Sequence, residues 1–164
     1  MSKTIKEVEV NPILKNRQKA LSEFNSIAHR LELVCSINNK NWINDSKSTD
    51  LGAASFSIEK LEEPIIWLVG SDGSHRDLDL VKDIVLKKVK KIICFGDFET
   101  DLKYAFGGKI KYALKNNLID AVQLANDCAI DNANVLFSPA CSSFNNYNDF
   151  RDRGNHFISL VKAL

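Results

Sequence analysis

From position 64 onward the chain alternates between two hydrophobic rhythms. Near-continuous apolar runs occur in "PIIWLVGS" (64–71), "KKIICFGD" (90–97) and "NVLFSPA" (134–140). Strands buried on both faces carry this pattern, so a parallel sheet covered by helices is predicted. A shorter strand, "KIKYA" (109–113), falls between the last two. Apolar residues at helical spacing predict helices over about 77–89, 100–106, 118–128 and 148–164. Earlier in the chain, "RLELVCSI" alternates Leu31, Leu33 and Cys35 against Glu32, Val34 and Ser36. The Asn-rich "NNKN" is turn chemistry, and "WIND" then completes an antiparallel hairpin. "LGAASFSIEKL" reads as a helix, and the stripe Ile13, Leu14, Ala20, Leu21 and Phe24 predicts another over 11–24. Residues 1–10, charged and without periodicity, are expected to fray. The fold class expected is α/β: a doubly wound, mostly parallel, Rossmann-like sheet of about six strands, opened by an antiparallel hairpin. Residues 1–27 form a leading segment and 28–164 the domain.

Composition narrows the partners. A chain of 164 residues, 45% hydrophobic and 26% charged, fits one ordinary soluble domain. Its net charge of +1 gives no reason to expect nucleic acid or an acidic membrane. The lysines of "KDIVLKKVKK" (82–91) read as a solvated helix face, because Ile84, Val85 and Val89 interrupt them at helical spacing. No apolar run approaches the roughly 18–20 residues of a membrane span, and residues 1–20 do not resemble a signal peptide. Cys35, Cys94, Cys128 and Cys141 show no CxxC pair or zinc spacing. Cys35 and Cys94 read as small buried hydrophobes, and a reducing, cytoplasmic location is expected.

Ligands of open parallel sheets gather at the carboxyl ends of the strands. Here those ends are "NDSKST", "GSDGSHRD", "FGDFETD" and "SPACSSFNN", all small and polar. A helix cap accounts for Asp or Ser before Leu51 but not for Lys47, a cation at the positive end of a helix dipole. A visiting polyanion accounts for it. His29 and Arg30 stand at the helix–hairpin junction, where a surface arginine and a helix-end histidine are the plain alternative. The hairpin brings "NDSK" back toward them, and the set suits a nucleotide: Arg30 and Lys47 for phosphates, Asp45 for ribose hydroxyls. The Ser-rich turn after Pro139 forms an anion-binding nest of backbone N–H groups. Core packing is the plain alternative for Phe144 and Phe150, and the stronger one for Phe150. No histidine sits near Cys141 in sequence to activate it as a nucleophile. The chain has no GxxxxGK[ST] loop and no dinucleotide fingerprint, so it holds part of a nucleotide site without its main cradle.

In this order and spacing, "HRLE", "WINDSKST" and "SPACSSFNNYNDFRDRGNHF" resemble the carboxy-terminal domain of the Mur ligases of peptidoglycan synthesis. Among these they are most similar to the members that add D-glutamate to UDP-N-acetylmuramoyl-L-alanine. The similarity runs from about Phe24 to the end. It implies a three-domain enzyme that uses ATP and Mg²⁺ to make an acyl phosphate, which the amine of D-glutamate then attacks. It implies that His29, Arg30, Asp45 and Lys47 meet ATP, while Thr49, Ser143, Phe144 and Phe150 hold D-glutamate. The amino-terminal and central domains would be partners outside this chain. They would carry the phosphate loop and the metal, so the chain alone would be inactive, with no metal ligand and no nucleophile of its own. One loop departs from the family: "GSDGSHRD" lacks the lysine that meets the glutamate side chain, which leaves Arg76 or His75 to supply the charge. A folyl-polyglutamate synthase-like domain and a stand-alone nucleotide-binding regulatory module remain the alternatives.

Overall fold

Two asparagines open the described part of the chain into a hairpin. Asn38 and Asn39 adopt φ of 52° and 57°, the left-handed conformation that a two-residue turn requires and that asparagine tolerates. They join β1 (Glu32–Ile37) to β2 (Lys40–Asn44) in antiparallel register, Ile37 opposite Lys40 and Glu32 opposite Asn44. The computed structural model describes residues 27–71, 75–96, 101–144 and 146–164. The expected helix over 11–24, and all of the leading segment except Ile27, lie outside them.

The apolar runs become β3 (Ile65–Gly70), β4 (Val89–Phe95) and β6 (Ala133–Phe137), with β5 (Lys111–Lys115) at the edge. The sheet order is β1-β2-β6-β3-β4-β5, parallel throughout except for the hairpin. Helices α1 (Leu51–Lys60), α2 (Lys82–Lys88) and α3 (Asp101–Phe106) cover one face through Ala54, Ile58, Val85, Leu102 and Phe106. Helices α4 (Leu118–Asn126) and α5 (Phe150–Lys162) cover the other through Leu118, Val122, Phe157 and Val161. Trp67, fully buried in β3, keeps its indole N–H satisfied by the Ser138 carbonyl at 2.8 Å. The chain steps outward from β3 to β5 and then returns to insert β6 on the other side of β3. The helices that follow β3 and β6 therefore lie on opposite faces, and a crevice opens at their carboxyl ends.

Two expected elements move. The helix over 77–89 divides into a 3-10 turn (Leu78–Leu80) and the short α2, with Asp77 capping the turn through the Asp79 N–H. β4 then begins directly at Val89. The strand expected at 109–113 starts two residues later because the N–H of Ile110 closes the last turn of α3 on the Phe106 carbonyl. Ile110 is consequently spent in the core before the strand begins.

α5 places Phe150, Arg153, Gly154, Phe157 and Val161 along one side, and three of these serve the region described below. A glycine inside a helix costs about 1 kcal/mol relative to alanine, so Gly154 needs a packing reason. His29 supplies it: a Cβ at Gly154 would overlap the imidazole, within 3.0 Å of both Cγ and Cε1. Gly154→Ala is therefore expected to destabilise the chain by about 1–3 kcal/mol despite its gain in helix propensity. Urea denaturation checks it, and an unchanged or raised midpoint would show that the ring has room to move.

Candidate functional site at the carboxyl edge

The corner at 29–31 is held in an unusual backbone. His29 and Leu31 adopt φ of 65° and 45°, conformations that cost non-glycine residues of order 1–3 kcal/mol each. Three hydrogen bonds fix them. The Leu31 N–H donates to Asp45 Oδ1 at 3.2 Å and the His29 N–H to Glu32 Oε2 at 2.9 Å. The His29 carbonyl accepts the Lys47 N–H at 3.0 Å. Asn44 Nδ2 lies 2.9 Å from His29 Nδ1. An amide nitrogen only donates, so the hydrogen-bond network assigns Nδ1 as acceptor and puts the proton of the neutral ring on Nε2.

Asp45 is 2% exposed. Its Oδ2 accepts Ser57 Oγ from α1 at 2.6 Å and Ser138 Oγ from the end of β6 at 2.9 Å. With Leu31 on Oδ1, three separate segments converge on one carboxylate. Burial pushes its carboxyl above the ordinary aspartate value, against the opposing pull of those hydrogen bonds and of the Arg30 charge. The expectation for Asp45 was a ribose contact, whereas the structure engages both of its oxygens inside the protein.

Sequence reasoning missed Arg153, which is 1% exposed. Its Nε donates to Ser46 Oγ at 3.1 Å and its Nη2 to the Ser46 carbonyl at 2.9 Å. Nη1 reaches the carbonyls of Cys141 at 3.0 Å and Ser142 at 3.1 Å. Ser46 Oγ in turn donates to the Phe150 carbonyl at 2.7 Å. The available signal was positional: Arg153 sits three residues after Phe150 and four before Phe157, on the stripe that faces inward.

Around Phe150 the cations gather. Lys47 Nζ lies 5.6 Å from the ring centroid and the Arg151 guanidinium 4.8 Å, while His29 meets the ring edge-on at 6.2 Å. Thr49, Ser142, Ser143, Phe144, Asp149 and Phe150 line one cleft of about 320 Å³. All four residues expected to hold an amino acid thus meet in one place, although Thr49 and Ser143 lie far apart in sequence. Phe144, 76% exposed, stands at its rim as an apolar ring in water. A neighbouring cleft of about 380 Å³ shares Thr49 and adds Gly52, Arg76, Leu80 and Ala140. Arg76 Nη1 donates there to the carbonyls of Gly70 at 3.0 Å and Ala140 at 3.3 Å. His75 points elsewhere: it is exposed, with Nδ1 3.0 Å from Asp101 Oδ2. Residues 72–74 of the same loop, and 97–100 of the loop after β4, lie outside the described residues.

Cys94 is buried as expected, whereas Cys35 is only half-buried on its edge strand. Among the described residues, no three His, Cys, Asp or Glu side chains converge into a metal cluster. No helix among them is long and apolar enough to cross a membrane.

The raised pKa of Asp45 has a consequence for stability. A folded pKa above the unfolded one means that the folded state binds more protons between the two values, so stability falls as pH rises through that window. Asp45→Asn lacks this titration. The stability of wild type relative to the variant is therefore expected to decline from pH 3.8 upward and to level off above the folded pKa. Urea midpoints of both proteins across pH 3–7 check the sign, and a relative stability that climbs with pH over that window would contradict the burial argument.

No family model matches the chain. Several curated proteins do. The UDP-N-acetylmuramoylalanine–D-glutamate ligase of Chlorobium phaeobacteroides is 35% identical over 147 residues, 90% of this chain and 32% of that protein. The ligase of the same name from Chlorobaculum tepidum is 36% identical over 144 residues, 88% of this chain and 31% of that protein. That of Christiangramia forsetii is 34% identical over 160 residues, 94% of this chain and 36% of that protein. A murein peptide ligase from Psychrobacter arcticus matches in structure with a TM-score of 0.50 at 11% identity, over 89% of this chain and 32% of that one. At that identity the likeness is one of fold. The chain spans about one third of the length of the curated relatives it matches. Over that third, the chain is similar to the D-glutamate ligases among the Mur ligases.

Proposed function

We propose that this chain is the carboxy-terminal, amino-acid-receiving domain of an ATP-dependent ligase that joins D-glutamate to UDP-N-acetylmuramoyl-L-alanine. The observation that carries the reading is the cleft shared by Thr49, Ser143, Phe144 and Phe150, with Lys47 above the Phe150 ring. It occurs in a chain 34–36% identical to ligases of that name.

In this reading the chain positions and neutralises, and it supplies no nucleophile. The Thr49 hydroxyl and the backbone N–H groups of the Ser143–Phe144 turn receive the carboxylates of D-glutamate. Phe150 walls off water from its carbon chain. D-glutamate brings two negative charges, and a buried carboxylate without a partner is costly. Arg76, in the cleft that shares Thr49, is the cation best placed to answer one of them. Lys47 and Arg30 face the phosphates of ATP, with His29 and Asp45 shaping the corner that presents Lys47. ATP supplies the phosphoryl group that activates the acceptor carboxylate as an acyl phosphate. Held close to that carbon, the amine attacks in an effectively unimolecular step, and the new amide forms as the carbon–oxygen bond to phosphate breaks and phosphate and the amine proton leave. The phosphate loop and the Mg²⁺ site belong to domains outside this chain, and no step is assigned to a metal on the described residues. Exposed Phe144 suits a surface that those domains cover.

Phosphate release from ATP, with UDP-N-acetylmuramoyl-L-alanine and D-glutamate, tests the reading. The complete ligase turns over, and the 164-residue chain alone does not; turnover by the chain alone would refute the division of labour. In the complete ligase Arg76→Ala raises the KM for D-glutamate tenfold or more and leaves the KM for ATP nearly unchanged. His75→Ala has little effect, because its partner is Asp101. Lys47→Ala lowers kcat far more than it raises the KM for D-glutamate, since a charge-assisted contact is worth about 1.5–3 kcal/mol. If Lys47→Ala raised the glutamate KM alone, Lys47 would belong to the amino-acid site.

A further inference from the structure

A buried guanidinium is an expensive way to hold two loops together. Well-packed apolar side chains of similar volume often stabilise a core as well or better. Arg153 is 1% exposed, yet four of its hydrogen bonds, all to oxygen, fall on two short segments. One is Ser46, immediately before Lys47 and three residues before Thr49. The other is Cys141–Ser142, immediately before Ser143 and Phe144. The two walls of the cleft are thus gripped by opposite tines of one planar fork. The same helical turn carries Phe150, whose carbonyl accepts Ser46 Oγ at 2.7 Å, so the third wall is tied into the arrangement as well.

We propose that Arg153 is a positioning residue whose guanidinium fixes the gap between the 46–49 and 141–144 walls, and with it the fit of the ligand between them. It does not line the Thr49 cleft and acts on a ligand there through the loops that it holds. Its geometry explains why arginine is required. Nη1 and Nη2 point at different loops, whereas a lysine ammonium is a point donor on a flexible stem and cannot straddle them. A second tie survives its loss, because Asp45 still joins Leu31, Ser57 and Ser138. Disturbing Arg153 should therefore loosen the cleft while leaving the sheet intact.

Hydrogen exchange of the 164-residue chain tests this without reference to catalysis. In Arg153→Lys, the amides of Ser48, Ala140 and Tyr147, bonded within or between the loops, and that of Lys47, bonded to the His29 carbonyl, are expected to exchange at least tenfold faster. Those of Leu68 and Ile93, inside β3 and β4, are expected to change less than twofold. A uniform rise across both groups would overturn the proposal, because it would mark a purely structural role; so would no change. Should Arg153→Lys fail to fold, Ser46→Ala removes the hydroxyl that accepts from Arg153 Nε and donates to the Phe150 carbonyl, leaves the Nη1 and Nη2 contacts in place, and is expected to accelerate the same loop amides selectively. A flat profile in that variant overturns the proposal too. The kinetic arm rests on the function proposed above: in a ligase that consumes D-glutamate, Arg153→Lys raises the KM for D-glutamate tenfold or more, and an unchanged KM counts against the positioning role. A wild-type ligase that does not use D-glutamate overturns that functional reading instead, and the exchange comparison then decides Arg153.

Discussion

The carboxyl edge of this sheet is organised around a carboxylate that its own burial disfavours. Asp45 ends the hairpin, yet its oxygens are claimed by a backbone N–H before the hairpin, a hydroxyl on α1 and a hydroxyl beyond β6. Each donor comes from a different segment, so the carboxylate can be satisfied only when all three are in place. That requirement holds Leu31 in a left-handed conformation, and the resulting corner directs the His29 carbonyl at the Lys47 N–H. The presentation of Lys47 and Thr49 therefore depends on an acid that needs no ligand of its own.

Much of this architecture was legible from hydrophobic rhythm. Strands buried on both faces must be apolar on both faces, which is why β3, β4 and β6 stood out and why the parallel sheet followed. Elements whose limits depend on tertiary context were less legible. Nothing local distinguishes the last turn of α3 from the start of β5, because Ile110 is apolar in either role. The break between the 3-10 turn and α2 likewise reflects which residues the core takes in, with Val81 buried and Leu80 left exposed.

The site divides along the same line. The family resemblance implied Thr49, Ser143, Phe144 and Phe150 as one set, and a parallel sheet brings strand ends, however distant in the chain, to one edge. Roles set by direction were not legible in this way. His75 and Arg76 are adjacent, but one faces Asp101 and the other caps carbonyls at the ends of two loops. Arg153 was hidden among the charged residues of "FRDRGNHF", where its inward position depends on the helical phase. Gly154 was hidden for a related reason, since its cause is a ring 125 positions away in sequence. Asp45 stood out in the sequence, but sequence alone does not say which way a carboxylate turns, and its oxygens accept hydrogen bonds inside the protein.

The cleft consequently has two kinds of charge. Asp45 and Arg153 are inward, desolvated and occupied by the protein, and they determine where the loops stand. Lys47 is outward and meets the Phe150 ring, where an arriving anion competes with water and an aromatic face; Arg151 lies over the same ring but is also paired with Asp149 Oδ2 at 3.2 Å. That difference matters for any ligand that brings its own charge. A cation already paired with a carboxylate would have to surrender that partner before it could bind phosphate. One resting on a π-face gives up about 0.5–1 kcal/mol at an exposed site. Holding the framework with buried charges while keeping the contacting ones loosely engaged lets the same short loop, from Asp45 to Thr49, be rigid in its backbone and responsive at its side chains.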